Sequence, residues 1–316
     1  MNAMEKISIL GAGTMGHSIA LSAAWGNQFV KVYGINQQDI ENADKGLGKK
    51  LEVMVENELF TAKQAKEIRT RITFTTFLEE AVLEATFIVE VVPEVLDLKK
   101  ELYNKLETLV EDDVVIASNT SGFKPSLLAA DMKHPERFVV THFWNPAHLI
   151  PLVEVVKGEH THEKTVARAM TVLKKMNKKA VLLHKEIPGF IGNRLQYALF
   201  REAQALLDAG AASKEDIDAA VTYSIGRRLP ITGPLMSADM GGLDVFSAIS
   251  NYLFEELSTD QQSGKILTQL VEENKLGDKT GQGFYLWEPE VSAMLNEERE
   301  QTLIHFLKND LKGGNL

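Results

Sequence analysis

Through the first half of the chain, short apolar runs alternate with longer amphipathic stretches. Residues 7–10, 29–33, 87–92, 114–117 and 138–142 are rich in Val, Ile and Phe and bounded by turn residues, the pattern of buried strands. Residues 15–25, 40–57 and 98–110 carry helical periodicity between them, and two further strands are expected at 152–156 and 180–184. Strands alternating with helices imply βαβ units and a doubly wound, mostly parallel sheet covered on both faces. Beyond residue 186 the strand-like runs stop, and helical periodicity takes over at 191–209, 214–224, 245–257 and 266–274. The pattern therefore predicts an α/β domain over residues 1–186 and an all-helical one over 187–316. In the last stretch, 291–311, Leu295, Leu303, Phe306 and Leu307 recur at roughly helical spacing, which reads as a capping or dimer-packing helix.

The bulk numbers narrow this picture. A chain of 316 residues is long for a single core, which fits two domains. Its 34 Lys and Arg against 44 Asp and Glu leave a net charge of −10, which argues against nucleic acid or an anionic membrane as the main partner. With no cysteine there is no thiol nucleophile, disulfide framework or Cys-ligated metal, and the reading assigns no metal site. No signal peptide or membrane-spanning run is evident, and a cytoplasmic enzyme is expected.

The first strand leads into Gly11-Ala12-Gly13-Thr14-Met15-Gly16 and then a helix. A lone GxGxxG is weak evidence; between a strand and a helix in a βαβ unit it is the Rossmann-type dinucleotide loop. Gly11 permits the tight turn, Gly13 lets backbone approach a pyrophosphate, and Gly16 allows close packing. The helix N-terminus then offers free N–H groups and a positive dipole end, with Thr14 and Met15 in its first turn. The acidic residue expected about 20 positions later, which would accept from the adenosine ribose, is absent: Gly34 stands there. No arginine follows to take a 2′-phosphate, so NAD is favoured over NADP, and Asn36 or Asp39 is left to meet the ribose.

Three clusters lie where core strands are expected to end: residues 118–121, residues 142–146 and residues 152–155 around Glu154. Oxidising a secondary alcohol needs a base to take the hydroxyl proton as hydride leaves. Histidine, with an ordinary pKa of about 6.5, suits that task, and His142 has the position for it. A carboxylate fixes the tautomer of such a histidine and stabilises its charged form, and Glu154 is the candidate.

With these motifs in order, the sequence resembles the L-3-hydroxyacyl-CoA dehydrogenase family over most of its length. The resemblance rests on residues 11–16, 92–94, 118–121, 142–146 and 188–194, on the run through Glu154, and on the Lys-Thr-Gly-Gln-Gly-Phe-Tyr stretch over 279–285. It implies that His142 is the general base in oxidation and general acid in reduction, oriented by Glu154. It further implies that Ser121 and Asn193 hydrogen-bond the substrate oxygen, with Asn145 beside the nicotinamide. Glu94, Lys99 and Lys279 would line the cofactor or active-site cleft, and Ser121 also counts among the cofactor-binding residues. The implied activity is hydride transfer between NAD and the 3-hydroxyl carbon of a short-chain 3-hydroxyacyl-CoA, in fatty acid metabolism, by a homodimer formed through the helical half.

Some features depart from that pattern. Family members acting on CoA esters carry several lysines on the helical hairpin after the second strand. Here Lys49 and Lys50 remain, Lys50 as a candidate substrate contact, but Glu52, Glu56 and Glu58 follow. Residues 150–154, 193–198 and 231–235 and the helical tail resemble instead the part of the superfamily that uses small free hydroxy acids, the carnitine and gulonate dehydrogenases, whereas residues 142–144 and 279–285 look more like the acyl-CoA enzymes. Arg227 and Arg228 read equally as a substrate-carboxylate pair or as a helix end. The competing expectations are thus a CoA-ester dehydrogenase, a dehydrogenase of a small free 3-hydroxy acid, and, remotely, a non-catalytic dinucleotide-binding protein.

Overall fold

The computed structural model describes residues 4–314 and 316. By internal contacts the chain divides into two compact units, residues up to Ile191 together with Glu298–Leu316, and Gly192–Glu297.

The first unit is built on an eight-stranded sheet of order β3-β2-β1-β4-β5-β6-β7-β8. Its strands are β1 (Lys6–Leu10), β2 (Phe29–Tyr33), β3 (Ile72–Thr75), β4 (Phe87–Glu90), β5 (Val115–Ser118), β6 (Phe138–Phe143), β7 (Leu152–Val156) and β8 (Lys179–Leu183). All ladders are parallel except β6–β7. The expected doubly wound, mostly parallel sheet is therefore present, with the chain reversing direction of winding between β1 and β4, where such sheets form ligand crevices. Fully buried strands read as continuous apolar runs, which is why β1, β4, β5 and β6 stand out in the sequence. The edge strand β3, Ile-Thr-Phe-Thr with one exposed and one half-buried residue, had no such signature.

Helices α1 (Thr14–Trp25), α2 (Gln37–Glu56), α3 (Ala62–Thr70), α4 (Leu78–Val82), α5 (Leu96–Leu106), α6 (Pro125–Leu128) and α7 (Glu163–Lys175) belong to the same unit. One core cluster packs Ile19, Ala20 and Ala23 of α1 with Leu47 and Leu51 of α2 and with Val32, Val89 and Val139 of the sheet. A second packs Tyr103 and Leu106 of α5 with Ile88, Ile116 and Val140.

The second unit carries α8 (Gly192–Asp208), α9 (Lys214–Ala220), a π-turn over Val221–Ile225, α10 (Gly226–Arg228), α11 (Pro234–Gly241), α12 (Leu243–Leu253) and α13 (Lys265–Glu272). It is all-helical apart from isolated bridges that tie Gly277 and Leu286 to Gln282. The final helix, α14 (Pro289–Lys312), buries Ile304 and Leu307 in its C-terminal part against Leu149, with Trp25, Val53 and Leu59 beside them. Leu303 joins that contact, whereas Leu295 and Phe306 stay exposed at 42% and 41%. The stretch thus caps the first unit, and the spacing marked a helix without identifying its buried face.

Candidate active site

The β6–β7 ladder sets His142 directly opposite Glu154. Directly opposed residues of an antiparallel pair have Cβ atoms about 4.5–5.5 Å apart, close enough for side chains to meet. His142 Nδ1 lies 2.8 Å from Glu154 Oε2, with the two side chains 8% and 0% exposed. An ionised carboxylate only accepts, so Nδ1 carries the hydrogen and Nε2 is the nitrogen left for a substrate. Glu154 lies at the middle of its strand and not at a strand's carboxyl end, contrary to expectation. It reaches the crevice edge because β7 runs antiparallel to β6.

The carboxylate is held from several sides. Trp144 Nε1 donates to Oε2 at 3.2 Å, and the backbone N–H of Ile191 donates to Oε1 at 2.8 Å. A turn with Gly189 at φ 76° and Phe190 at φ 50° delivers that N–H. The rings of Phe190 and Trp144 each sit 5.6 Å from the His142 ring, walling the imidazole on two sides.

Behind the neighbouring strand ends lies a buried ionic network that the sequence did not announce. Glu90, at the end of β4 and fully buried, receives Lys99 Nζ at 2.6 Å and Val92 N at 2.8 Å on Oε1. Its Oε2 receives Tyr103 OH at 2.5 Å and Ser118 Oγ at 2.7 Å. Burial, and then the Glu90 charge, push the Tyr103 phenol far above its ordinary range, so it remains a donor. Lys99 continues to Glu94 Oε2 at 3.2 Å, and Glu94 Oε1 accepts from Thr120 Oγ1 and from Ser121 N. The chain of contacts ends at β6, where Phe143 N donates to Asn119 Oδ1 at 2.8 Å. Lys99 is therefore neither a solvated surface charge nor a lining residue: at 1% exposure its ammonium is committed to Glu90, Glu94 and the Val92 carbonyl. Glu94 and Ser121 are exposed at this edge, as expected of residues that meet a ligand. The only signal for Glu90 was a lone carboxylate after Phe-Ile-Val in a buried strand.

The glycine loop fits a dinucleotide. Gly11 adopts φ +124°, and a Cβ there would meet Val91 O at 2.9 Å. A Cβ on Gly16 would fall 1.8 Å from Gly11 O, whereas one on Gly13 would project into open space where a phosphate can approach. Helix α1 has Gly13 as its N-cap and no side-chain cap, leaving its first N–H groups to a ligand, beside Thr14 and half-buried Met15. At the ribose end, Gly34 is buried, and a Cβ on it would lie 3.1 Å from Ile40 Cγ1 and 3.3 Å from Ala12 Cβ. The position is thus occupied by close packing, and Asn36 beyond it caps α2 by accepting Asp39 N at 2.8 Å.

A group of basic side chains lies beneath the loop. Lys50 Nζ is 3.0 Å from His17 Nε2, and Ser18 Oγ is 2.8 Å from His148 Nδ1. Lys178 Nζ donates to the carbonyls of Ala147 and, at 3.2 Å, of Ile150. Burial pushes Lys178 down to about 7. Burial, then the charges of Lys50, Lys178 and His17, push His148 down to about 3. Burial also lowers His17 and Lys50. Lys50, expected at the substrate, points at His17, while Lys49, Glu52, Glu56 and Glu58 are exposed.

The remaining candidates are dispersed. Asn145 is exposed in the loop between β6 and β7, where its bond to Pro146 is cis. Asn193 is the second residue of α8 in the second unit, half-buried, and Lys279 is exposed in a short 3-10 turn over Asp278–Thr280. Arg227 stacks over the Tyr223 ring at 5.0 Å, where α10 ends.

Comparisons with known proteins agree with this geometry. A family model described as "3-hydroxyacyl-CoA dehydrogenase, NAD binding domain" matches residues 6–187, and one described as "3-hydroxyacyl-CoA dehydrogenase, C-terminal domain" matches residues 189–287. The 5-formyl-3-hydroxy-2-methylpyridine 4-carboxylate 5-dehydrogenase of Mesorhizobium japonicum is 34% identical over 95% of this chain and 96% of its own. The 3-hydroxybutyryl-CoA dehydrogenase of Clostridioides difficile is 33% identical over 89% of this chain and 98% of its own. A crystal structure of a dehydrogenase of the same pyridine acid, described as an NAD+-dependent dismutase, superposes with a TM-score of 0.90 at 32% identity, covering 98% of this chain and 99% of that one. The chain belongs to the 3-hydroxyacyl-CoA dehydrogenase family, whose members are NAD-dependent oxidoreductases, and its cofactor is NAD.

Proposed function

We propose that the chain is an NAD-dependent dehydrogenase acting on a small free carboxylic acid, with His142 and Glu154 as its proton-transfer pair. NAD supplies the hydride acceptor at its nicotinamide. In the oxidative direction His142 Nε2 takes the proton of the substrate hydroxyl. Glu154, held at Nδ1, stabilises the imidazolium that forms and fixes which nitrogen faces the substrate. In reduction the same nitrogen returns the proton. Ser121, anchored through its backbone to Glu94, donates to the substrate oxygen without competing for that proton. Asn193 and Lys279 keep the roles that the family resemblance proposes for them, as does the division at residues 186 and 187 into a dinucleotide-binding and a substrate domain.

The substrate class rests on one observation above the others. The pyridine-acid enzyme superposes with a TM-score of 0.90, whereas 3-hydroxybutyryl-CoA dehydrogenases of similar sequence identity superpose at 0.74 to 0.76. The site itself points the same way. Lys50 is turned to His17, and Glu52, Glu56 and Glu58 present carboxylates where a polyphosphate would need cations. The expected order of the two readings is therefore reversed, and a short-chain L-3-hydroxyacyl-CoA becomes the second reading, supported by the family and by that relative.

A homodimer in the cytoplasm completes the proposal. Helix α12 has no buried residue and exposes Phe246, Ile249, Tyr252 and Leu253 by 39–64%. Ile231 and Leu235 stand 82% and 85% exposed, more apolar surface than a monomer usually leaves uncovered. Light scattering is expected to give twice the chain mass; a monomer overturns the dimer.

The substrate test is NADH oxidation with acetoacetyl-CoA beside free acetoacetate, dehydrocarnitine and related oxo acids. Turnover of a free acid with none of the CoA ester is expected. Brisk turnover of the CoA ester and none of the free acids would overturn the proposal in favour of the second reading.

A further inference from the structure

We propose that Trp144 is a positioning residue of the acid–base pair, acting on His142 through the carboxylate of Glu154. The proposal rests on the reading of His142 and Glu154 as the proton-transfer pair. It goes beyond that reading by assigning a task to a side chain that lies within the 142–146 motif but was given no role there.

Glu154 is fully buried, and a buried carboxylate stays ionised only where donors replace the water it has lost. Two of those donors share one oxygen, Oε2: His142 Nδ1 at 2.8 Å and Trp144 Nε1 at 3.2 Å. The backbone N–H of Ile191 holds the other oxygen at 2.8 Å. With Oε1 fixed by backbone and Oε2 by an indole, the carboxylate plane cannot turn, so Oε2 stays aimed at Nδ1. An indole suits this task better than a hydroxyl or an imidazole. It donates and never accepts, so it supports the ionised carboxylate without offering the His142 proton another destination.

The ring contributes a second constraint. Trp144 lies two residues beyond His142, just past the end of β6, and its ring is tilted 53° to the imidazole at 5.6 Å between centroids. Phe190 sits at the same separation. The imidazole is thereby confined between two aromatic walls while its tautomer is fixed from Nδ1. Productive geometry for proton transfer tolerates little displacement, and support from surrounding side chains is what holds it.

The experiment is a double-mutant cycle on hydride-transfer rate, measured in single turnovers with enzyme in excess, using Trp144→Phe and Glu154→Ala. Phe keeps most of the ring and deletes only the donor. In the otherwise unchanged protein, Trp144→Phe should slow transfer roughly tenfold, the size expected for losing one hydrogen bond to a charged group. KM and the NADH dissociation constant should stay as they were. In the Glu154→Ala background the same substitution should change the rate less than twofold, because its target is gone. Trp144→Leu, carried through the same cycle, gives the same reading if the Phe variant folds poorly. An equal loss in both backgrounds would mean that Trp144 only packs, and no loss in either would mean that its N–H is idle; each overturns the proposal. Full turnover by Glu154→Ala alone would overturn the acid–base reading itself, and this proposal with it.

Discussion

Two strand ends along one edge of the same sheet are built in opposite ways. Where β6 meets β7, a buried carboxylate takes hydrogen bonds from an imidazole, an indole and a backbone amide. At the end of β2, a buried glycine packs against Ile40 and Ala12, and the polar residue beyond it, Asn36, spends its side chain on capping α2. The first place fixes the carboxylate and, through it, the imidazole proposed to move the proton. The second leaves the adenosine ribose to be met without a dedicated carboxylate. The contrast teaches where the fold concentrates its polar order, at the proposed acid–base pair and the turns that flank it. On the proposed function, the end of the cofactor far from the chemistry would be held by shape and by a helix terminus.

The most damaging way to break the ordered side is through its hub. Glu90→Gln leaves Lys99 buried with Glu94 as its only carboxylate, and turns an amide N–H either toward Lys99 and Val92 N or toward the hydroxyls of Tyr103 and Ser118, which must then reverse their bonds. Removing one partner of a buried ion pair costs about 3–5 kcal/mol, toward the lower end here because Glu94 remains. Urea unfolding should show that loss together with slower turnover, since the Ser118–Ser121 turn hangs from the same network. A stability within 1 kcal/mol of the parent, on the order of an ordinary surface change, would show that the network is not what holds these strand ends.

A smaller effect tests the loop that joins His142 to Glu154. His148, pushed down to about 3 by burial, has its ordinary value near 6.5 when unfolded. The unfolded chain therefore binds more protons between those limits, so the His148 contribution is full above pH 6.5 and is lost as pH falls toward 3. In His148→Asn the slope of stability against pH in that window should be shallower by up to one proton, about 1.4 kcal/mol per pH unit at most. An unchanged slope would place the imidazole in water.

The smallest effect is expected on the sparse side. Gly34→Asp would add a hydrogen bond to the ribose worth about 0.5–1.5 kcal/mol, but its Cβ meets Ile40 at 3.1 Å and must push that side chain aside. The preference for NAD over NADP should rise by at most about tenfold in dissociation constants. No change would mean that the position does not face the ribose.

Much of the first unit was legible because its buried strands are continuous apolar runs and its glycine loop has a steric reason at Gly11 and Gly16. His142 could be placed at a strand end on the same grounds. Three things were not legible, each for a physical reason. The direction of β7 is set by pairing, and an apolar run looks alike whichever way it points; yet it is this reversal that brings Glu154 opposite His142. Strand β3 is short, alternates with threonine and lies at an edge, so it has no buried run to show. The partners of Lys99, Lys50 and Lys178 come from distant parts of the chain, and a lysine in a sequence looks solvated until the carboxylate, imidazole or carbonyls facing it are known.

The measurement that bears most directly on the account is the single-turnover rate of hydride transfer in His142→Ala and Glu154→Gln, taken with NADH affinity from fluorescence titration. The rate should fall roughly 10²–10⁴-fold in the histidine variant, with a marked fall in the glutamine variant, while NADH binds each nearly as it binds the parent. A parent-like rate in His142→Ala would contradict the account at its centre.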